Sequence, residues 1–161
     1  MFNPQLVLHE KEYEAIKSVC DRLYKESNSK IVFIVDKNGQ LIAVSGDVSR
    51  MDTTSLASLT AGNVAATGGL AKLLGEKEFS VLFHEGENDS VHISLIGTRM
   101  ILVVIFDKRT NQGLVRLKVK KSTEELNRIF DAIFAKTEKE KASQGAIEIT
   151  ESDIDKLFGD F

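Results

Sequence analysis

Thr53-Thr54-Ser55-Leu56-Ala57-Ser58-Leu59-Thr60-Ala61-Gly62-Asn63-Val64-Ala65-Ala66-Thr67-Gly68-Gly69-Leu70-Ala71-Lys72 carries no charge before its last residue, and most of it is Ala, Gly, Ser or Thr. Wound as a helix at about 100° per residue, it sorts into two faces. Leu56, Leu59, Leu70, Leu73 and Leu74 gather on one side, with Asn63 and Ala66 between them. Ala57, Ala61, Ala65, Gly68 and Gly69 gather on the other. The leucine side is expected to be the core stripe and the small-residue side a bare face. Gly inside a helix costs about 1 kcal/mol relative to Ala, and Gly62, Gly68 and Gly69 all fall here. A solvent-facing helix would ordinarily carry Glu, Lys and Gln. Small residues at i, i+4 instead let another backbone come close. The bare face, with Lys72 at its end, is therefore expected to meet a partner; the alternative is a helix enclosed on all sides by its own fold.

On the N-terminal side, residues 5–27 read as a helix. Tyr13, Ile16, Cys20 and Leu23 form one apolar stripe, and Glu12, Lys17, Asp21 and Arg22 fill the other side. Ile31–Val35 is apolar at every position and Leu41–Val44 follows; Asp36-Lys37-Asn38-Gly39 stands between them. Asn-Gly between two β-rich runs predicts a hairpin with positive φ at both turn positions. A calcium loop is excluded, because its further acidic ligands and terminal Glu are missing.

Beyond Gly75 the pattern is again β. Phe79, Val81 and Phe83 alternate, as do Val91, Ile93 and Leu95, and Met100–Phe106 is apolar throughout. Strands over 79–84, 88–96 and 100–107 make an antiparallel meander. The two wholly apolar strands should be covered on both faces. Residues 110–136 fit two readings. Val115, Leu117 and Val119 alternate like a strand, yet Val115, Val119, Leu126, Ile129, Phe130 and Ile133 fit a helical stripe capped at Thr110 or at Ser122. Residues 137–149 are polar and read as a flexible linker. Residues 150–161 can form a short amphipathic helix on Ile154, Leu157, Phe158 and Phe161, of the kind that orders on a partner.

The chain has 161 residues, 42% of them hydrophobic and 28% charged, with a net charge of −3. That supports one packed domain and argues against nucleic acid as the main partner. The opening residues do not read as a signal peptide, and no run of about 18 apolar residues suggests a membrane span. Together these predict a cytoplasmic protein. Enzyme signatures are missing. Nothing like a P-loop Lys-Ser/Thr follows the Gly68-Gly69 pair, and no Gly-x-Ser-x-Gly elbow occurs. His9, His84 and His92 are scattered; His84 and His92 could face each other across a hairpin beside Glu85, without a strong third ligand. Cys20 sits on an apolar stripe and reads as packing. No cofactor is expected.

The order helix, hairpin, small-residue helix, three-strand meander, helix resembles that of the roadblock (dynein light chain) family. Within it, Cys20–Leu23, Val35–Ile42, Asp52–Ala66, Phe83–Gly86 and Leu102–Asp107 are similar to the members that serve bacterial polarity and motility. The Leu59–Ala66 run is the most specific of these. The resemblance covers about residues 5–136 and implies an α+β roadblock domain over 1–136, in the order α-β-β-α-β-β-β-α. Its five-stranded antiparallel sheet would carry the small-residue helix on one face and the other two helices on the opposite face. It favours a helix from near Thr110. It implies a homodimer with sheets joined and small-residue helices side by side, binding an MglA-like, Ras-like small GTPase and stimulating its GTP hydrolysis by ordering its switch regions. GTP and Mg would belong to that partner. The implied GTPase-binding residues are Ala57, Ala61, Ala65, Gly68, Gly69 and Lys72, with Ile154, Leu157 and Phe158 of the tail. A place at a cell pole would come through partners. An arginine finger from Arg50, Arg99 or Arg109 is the less favoured mechanism, and a non-activating scaffold is the alternative function.

Overall fold

Residues 8–148 are described by a computed structural model. The sheet is built outward from β1 (Ile31–Asp36), which pairs with β2 (Leu41–Gly46) on one side and β5 (Met100–Phe106) on the other. β4 (Ser90–Ile96) and β3 (Val81–Glu85) complete an antiparallel sheet of order β2-β1-β5-β4-β3. The all-apolar strands β1 and β5 lie inside it and are covered on both faces, as expected. One face carries α1 (Glu10–Glu26) and α3 (Gln112–Glu148), and the other carries α2 (Thr53–Leu73).

α1 starts where the Glu12 carboxylate accepts the His9 N–H, closing the first turn. Its stripe Ile16, Val19, Cys20 and Leu23 packs on Val32, Ile34 and Leu102, while Tyr13 stays exposed. The β1–β2 turn uses a different device from the one expected. Asp36 Oδ1 accepts the N–H groups of Asn38 and Gln40, both at 2.9 Å, and only Gly39 has positive φ, +89°. The side-chain bonds hold the longer turn, so Asn38 need not enter the left-handed region. A Cβ on Gly39 would meet Ser58 Cα at 3.3 Å, so this turn also lies close over α2.

α3 begins at an Asn111 cap, whose Oδ1 accepts the Leu114 N–H at 2.9 Å, and not at Thr110. Val115, Val119, Leu126, Phe130 and Ile133 fill its buried stripe, which decides the ambiguous segment as helix. The helix then runs on to Glu148, through the segment expected to be a linker. Glu, Lys and Ala dominate that stretch and are good helix formers without any apolar pattern.

The largest correction concerns α2. Its small-residue side packs on the sheet: Ala57 is 1% exposed and Ala61 8%, with Thr60, Val64 and Ala71 also buried. Most of the leucine side faces outward, with Leu59 73% and Leu73 85% exposed, and Leu70 and Leu74 also exposed. Only Leu56 is partly buried against the core. The sheet supplies the bulk here, through Phe33, Val35, Ile101, Val103 and Ile105, so the helix must supply little. No helix among the described residues is long and apolar enough to cross a membrane.

Candidate partner interface

α2 begins firmly. Asp52 caps it, accepting the Ser55 N–H at 3.1 Å and the Ser55 hydroxyl at 2.7 Å. These bonds hold the Asp52 carboxyl below the usual carboxylate range. Within the helix, the Thr60 and Thr67 hydroxyls donate back to the carbonyls of Leu56 and Asn63, so neither threonine projects its polar atom far.

Between the buried small residues and the exposed leucines runs a third strip. Ser58, Gly62, Ala65, Ala66 and Gly69 are all exposed, and Lys72 is exposed at its end. A Cβ built on Gly62, Gly68 or Gly69 meets none of the described residues within 4 Å. The bare surface expected from the sequence therefore exists, but rotated around the helix. Ala65, Gly69 and Lys72 lie on it, and Gly68 is half-buried at its border. Ala57 and Ala61 are not available, because they form the contact with the sheet. Gly62 and Ala66 were missing from the expected set. Their signal was the Gly at position 62, whose cost in a helix no contact among the described residues offsets. Ile154, Leu157 and Phe158 lie outside the described residues.

The leucine side opens toward the edge of the sheet. Asn63 Nδ2 lies 3.2 Å from His84 Nε2 of β3, tying α2 to the edge strand. Leu56 and Leu59 of α2, with Val91 and Ile93 of β4, line a groove of about 250 Å³ beside that contact. Among the described residues β3 is a terminal strand pairing only with β4, and Val81 on it is 48% exposed. Exposed leucines and an unpaired strand edge on one side of a domain mark a surface that needs covering.

Little else offers chemistry. His84 and His92 do not face each other: Phe83 is directly opposite His92, and Val91 opposite His84. That register turns His84 toward α2 and His92 toward α3. Among the described residues no three of His, Cys, Asp and Glu come together as metal ligands. Cys20 is buried, and burial pushes its thiol up to about 12, so it packs and does not attack. Of the arginines, Arg99 stacks over the Phe134 ring at 4.7 Å, and Arg109 Nε donates to Asp107 Oδ1 at 3.0 Å. Arg50 is exposed just ahead of α2.

The Roadblock/LC7 domain family matches residues 15–106. Among solved structures, the chain is 59% identical to MglB of Myxococcus xanthus, with a TM-score of 0.76, covering 79% of this chain and 96% of that one. It is 34% identical to the gliding protein MglB of Thermus thermophilus, with a TM-score of 0.74 and coverage of 80% and 97%. An MglB described with a tetrameric arrangement is 32% identical, with a TM-score of 0.76 and coverage of 82% and 99%. The family match, the sheet order and these identities together mean that the chain belongs to the Roadblock/LC7 family, among its MglB-type members.

Proposed function

We propose that this protein is a homodimeric GTPase-activating protein for an MglA-like, Ras-like small GTPase. The observation that carries the reading is the exposed, uncharged strip Ser58–Gly62–Ala65–Gly69 on a well-capped helix. A partner's main chain can lie on it with little loss of hydration, since the strip offers one hydroxyl and no charge. The leucine side and the free edge of β3 serve the dimer. Burying an exposed Leu contributes about 1.5–3 kcal/mol, and pairing the β3 edges satisfies its open backbone groups. Two strips then stand side by side as a low platform.

On this reading the dimer holds the GTPase switch segments in the arrangement that hydrolyses GTP, and the GTPase supplies its own catalytic groups, GTP and Mg. An arginine finger in trans is worth about 10³–10⁵-fold elsewhere. Two of the three candidates here are engaged, Arg99 on Phe134 and Arg109 with Asp107, which favours the indirect mechanism. Ile154, Leu157 and Phe158 form a second contact with the GTPase. The protein works in the cytoplasm and reaches a cell pole through partners, where it regulates polarity and motility. The test measures affinity and turnover together, with an MglA-type GTPase loaded with GTP or GDP. Preferred binding of the GTP form with faster hydrolysis supports an activator. Binding without acceleration makes the protein a scaffold, and removal of residues 150–161 without change in either quantity removes the second contact.

A further inference from the structure

A second cavity, of about 400 Å³, lies across the sheet from α2, between β4 and α3. β4 turns His92 and Ser94 into the core on this face, 2% and 4% exposed. His92 Nε2 is 3.0 Å from Ser94 Oγ. Among the described residues the other ring nitrogen, Nδ1, is buried with no partner, and so is the hydroxyl of Thr123, a residue that lines the same cavity from α3. Two orphaned polar atoms beside one cavity favour a hydrogen-bonding occupant, water or ligand, since each costs about 1–3 kcal/mol if left unpaired.

The charges around the cavity indicate its sign. Arg116, Lys120 and Glu124, one helical turn apart on α3, all line it. Among the described residues neither Arg116 nor Lys120 has a carboxylate partner within ion-pair distance. β3 and β4 add no titratable group apart from His92 itself. We propose that this cavity binds a phosphate group, free or as the monoester of a small molecule, on Arg116, Lys120, His92, Ser94 and Thr123. Arg offers a planar fork that matches phosphate oxygens, and Lys adds a point charge. The Thr123 hydroxyl donates; His92 Nδ1 donates to a phosphate oxygen when Ser94 donates to Nε2, and accepts from a P–OH when Nε2 donates to Ser94, whose hydroxyl is then free to donate to the ligand. The Glu124 carboxylate accepts a hydrogen bond from the P–OH of a phosphate monoanion, a donor that sulfate lacks. The volume exceeds one phosphate, and Val81 and Val119 give an ester's organic body an apolar wall.

The test titrates the full-length protein at constant ionic strength with inorganic phosphate, phenyl phosphate and sulfate, following the His92 ring and the Ser94 and Thr123 amides by NMR. Saturable shifts confined to this cavity are expected with the two phosphates, and the tighter of the two identifies free phosphate or ester as the ligand. Sulfate should bind more weakly. The bound anion offsets the repulsion from Arg116, so the His92 titration should move upward. Arg116→Gln and Lys120→Gln, both at the rim of the cavity, should each weaken binding about tenfold without moving the melting temperature. No saturable shift below about 10 mM of either phosphate overturns the proposal, as does sulfate matching phosphate or variants that titrate like the wild type.

Discussion

Replacing both Gly62 and Gly69 with Ala should stabilise the protein and weaken its hold on the GTPase at once. Both glycines sit inside α2 with helical backbone, and an added Cβ meets none of the described residues within 4 Å at either. Each change removes the glycine's extra freedom in the unfolded chain, worth about 0.5–1 kcal/mol. The pair should therefore add about 1–2 kcal/mol, or about 2–8 °C in Tm for a domain of this size. In the complex the same methyls stand where the partner's main chain approaches. Overpacking a close contact costs about 1–3 kcal/mol, roughly 5- to 150-fold in affinity. Calorimetry gives the first quantity, sedimentation checks that the dimer persists, and a titration of GTP turnover against protein concentration gives the second. Opposite signs are the expected result. A stabilised variant that activates at unchanged concentration means the GTPase docks elsewhere. A destabilised variant means the strip is packed within the protein's own assembly, and the reasoning fails at its first step.

Ala65→Arg should leave a folded dimer that no longer stimulates hydrolysis, because the side chain is exposed in the single chain and would be buried unpaired in the complex, at several kcal/mol. Ala61→Arg, one turn away but 8% exposed against the sheet, should instead lower stability by several kcal/mol, read by chemical denaturation. Leu59→Asp with Leu73→Asp should give a folded monomer by sedimentation, since both leucines are largely exposed in one chain; a dimer of unchanged strength would place that interface elsewhere. Burial and the charge of Arg116 hold His92 below its ordinary 6.5 in the folded protein. The unfolded chain therefore takes up the proton first, and stability should fall as pH drops below about 6.5, levelling off below the folded value. His92→Asn should flatten that part of the denaturation profile.

The strands were legible in the sequence because their patterns have one reading. Ile31–Val35 and Met100–Phe106 are apolar at every position, and only an interior strand of a covered sheet suits them in a chain this short. α2 was legible as a helix with two unlike sides, but a wheel does not say which side meets the sheet. Leucines usually do; here Phe33 and the valines and isoleucines around it occupy the space, and Ala57 and Ala61 fit against them. That reversal moved two expected contact residues into the core and left Ala65, Gly69 and Lys72 outside. The extension of α3 past residue 136 was hidden because a polar helix has no period to read, only propensity. The cavity beside His92 was hidden by register: whether a residue of a hairpin faces one layer or the other turns on a single position.

Single-turnover GTP hydrolysis by an MglA-type GTPase, with and without this protein, tests the central claim most directly. The account predicts a large acceleration that saturates with protein concentration, persists in Arg50→Ala, and disappears in Ala65→Arg although that variant remains a folded dimer. An unchanged hydrolysis rate in the presence of a saturating, correctly folded dimer would contradict it.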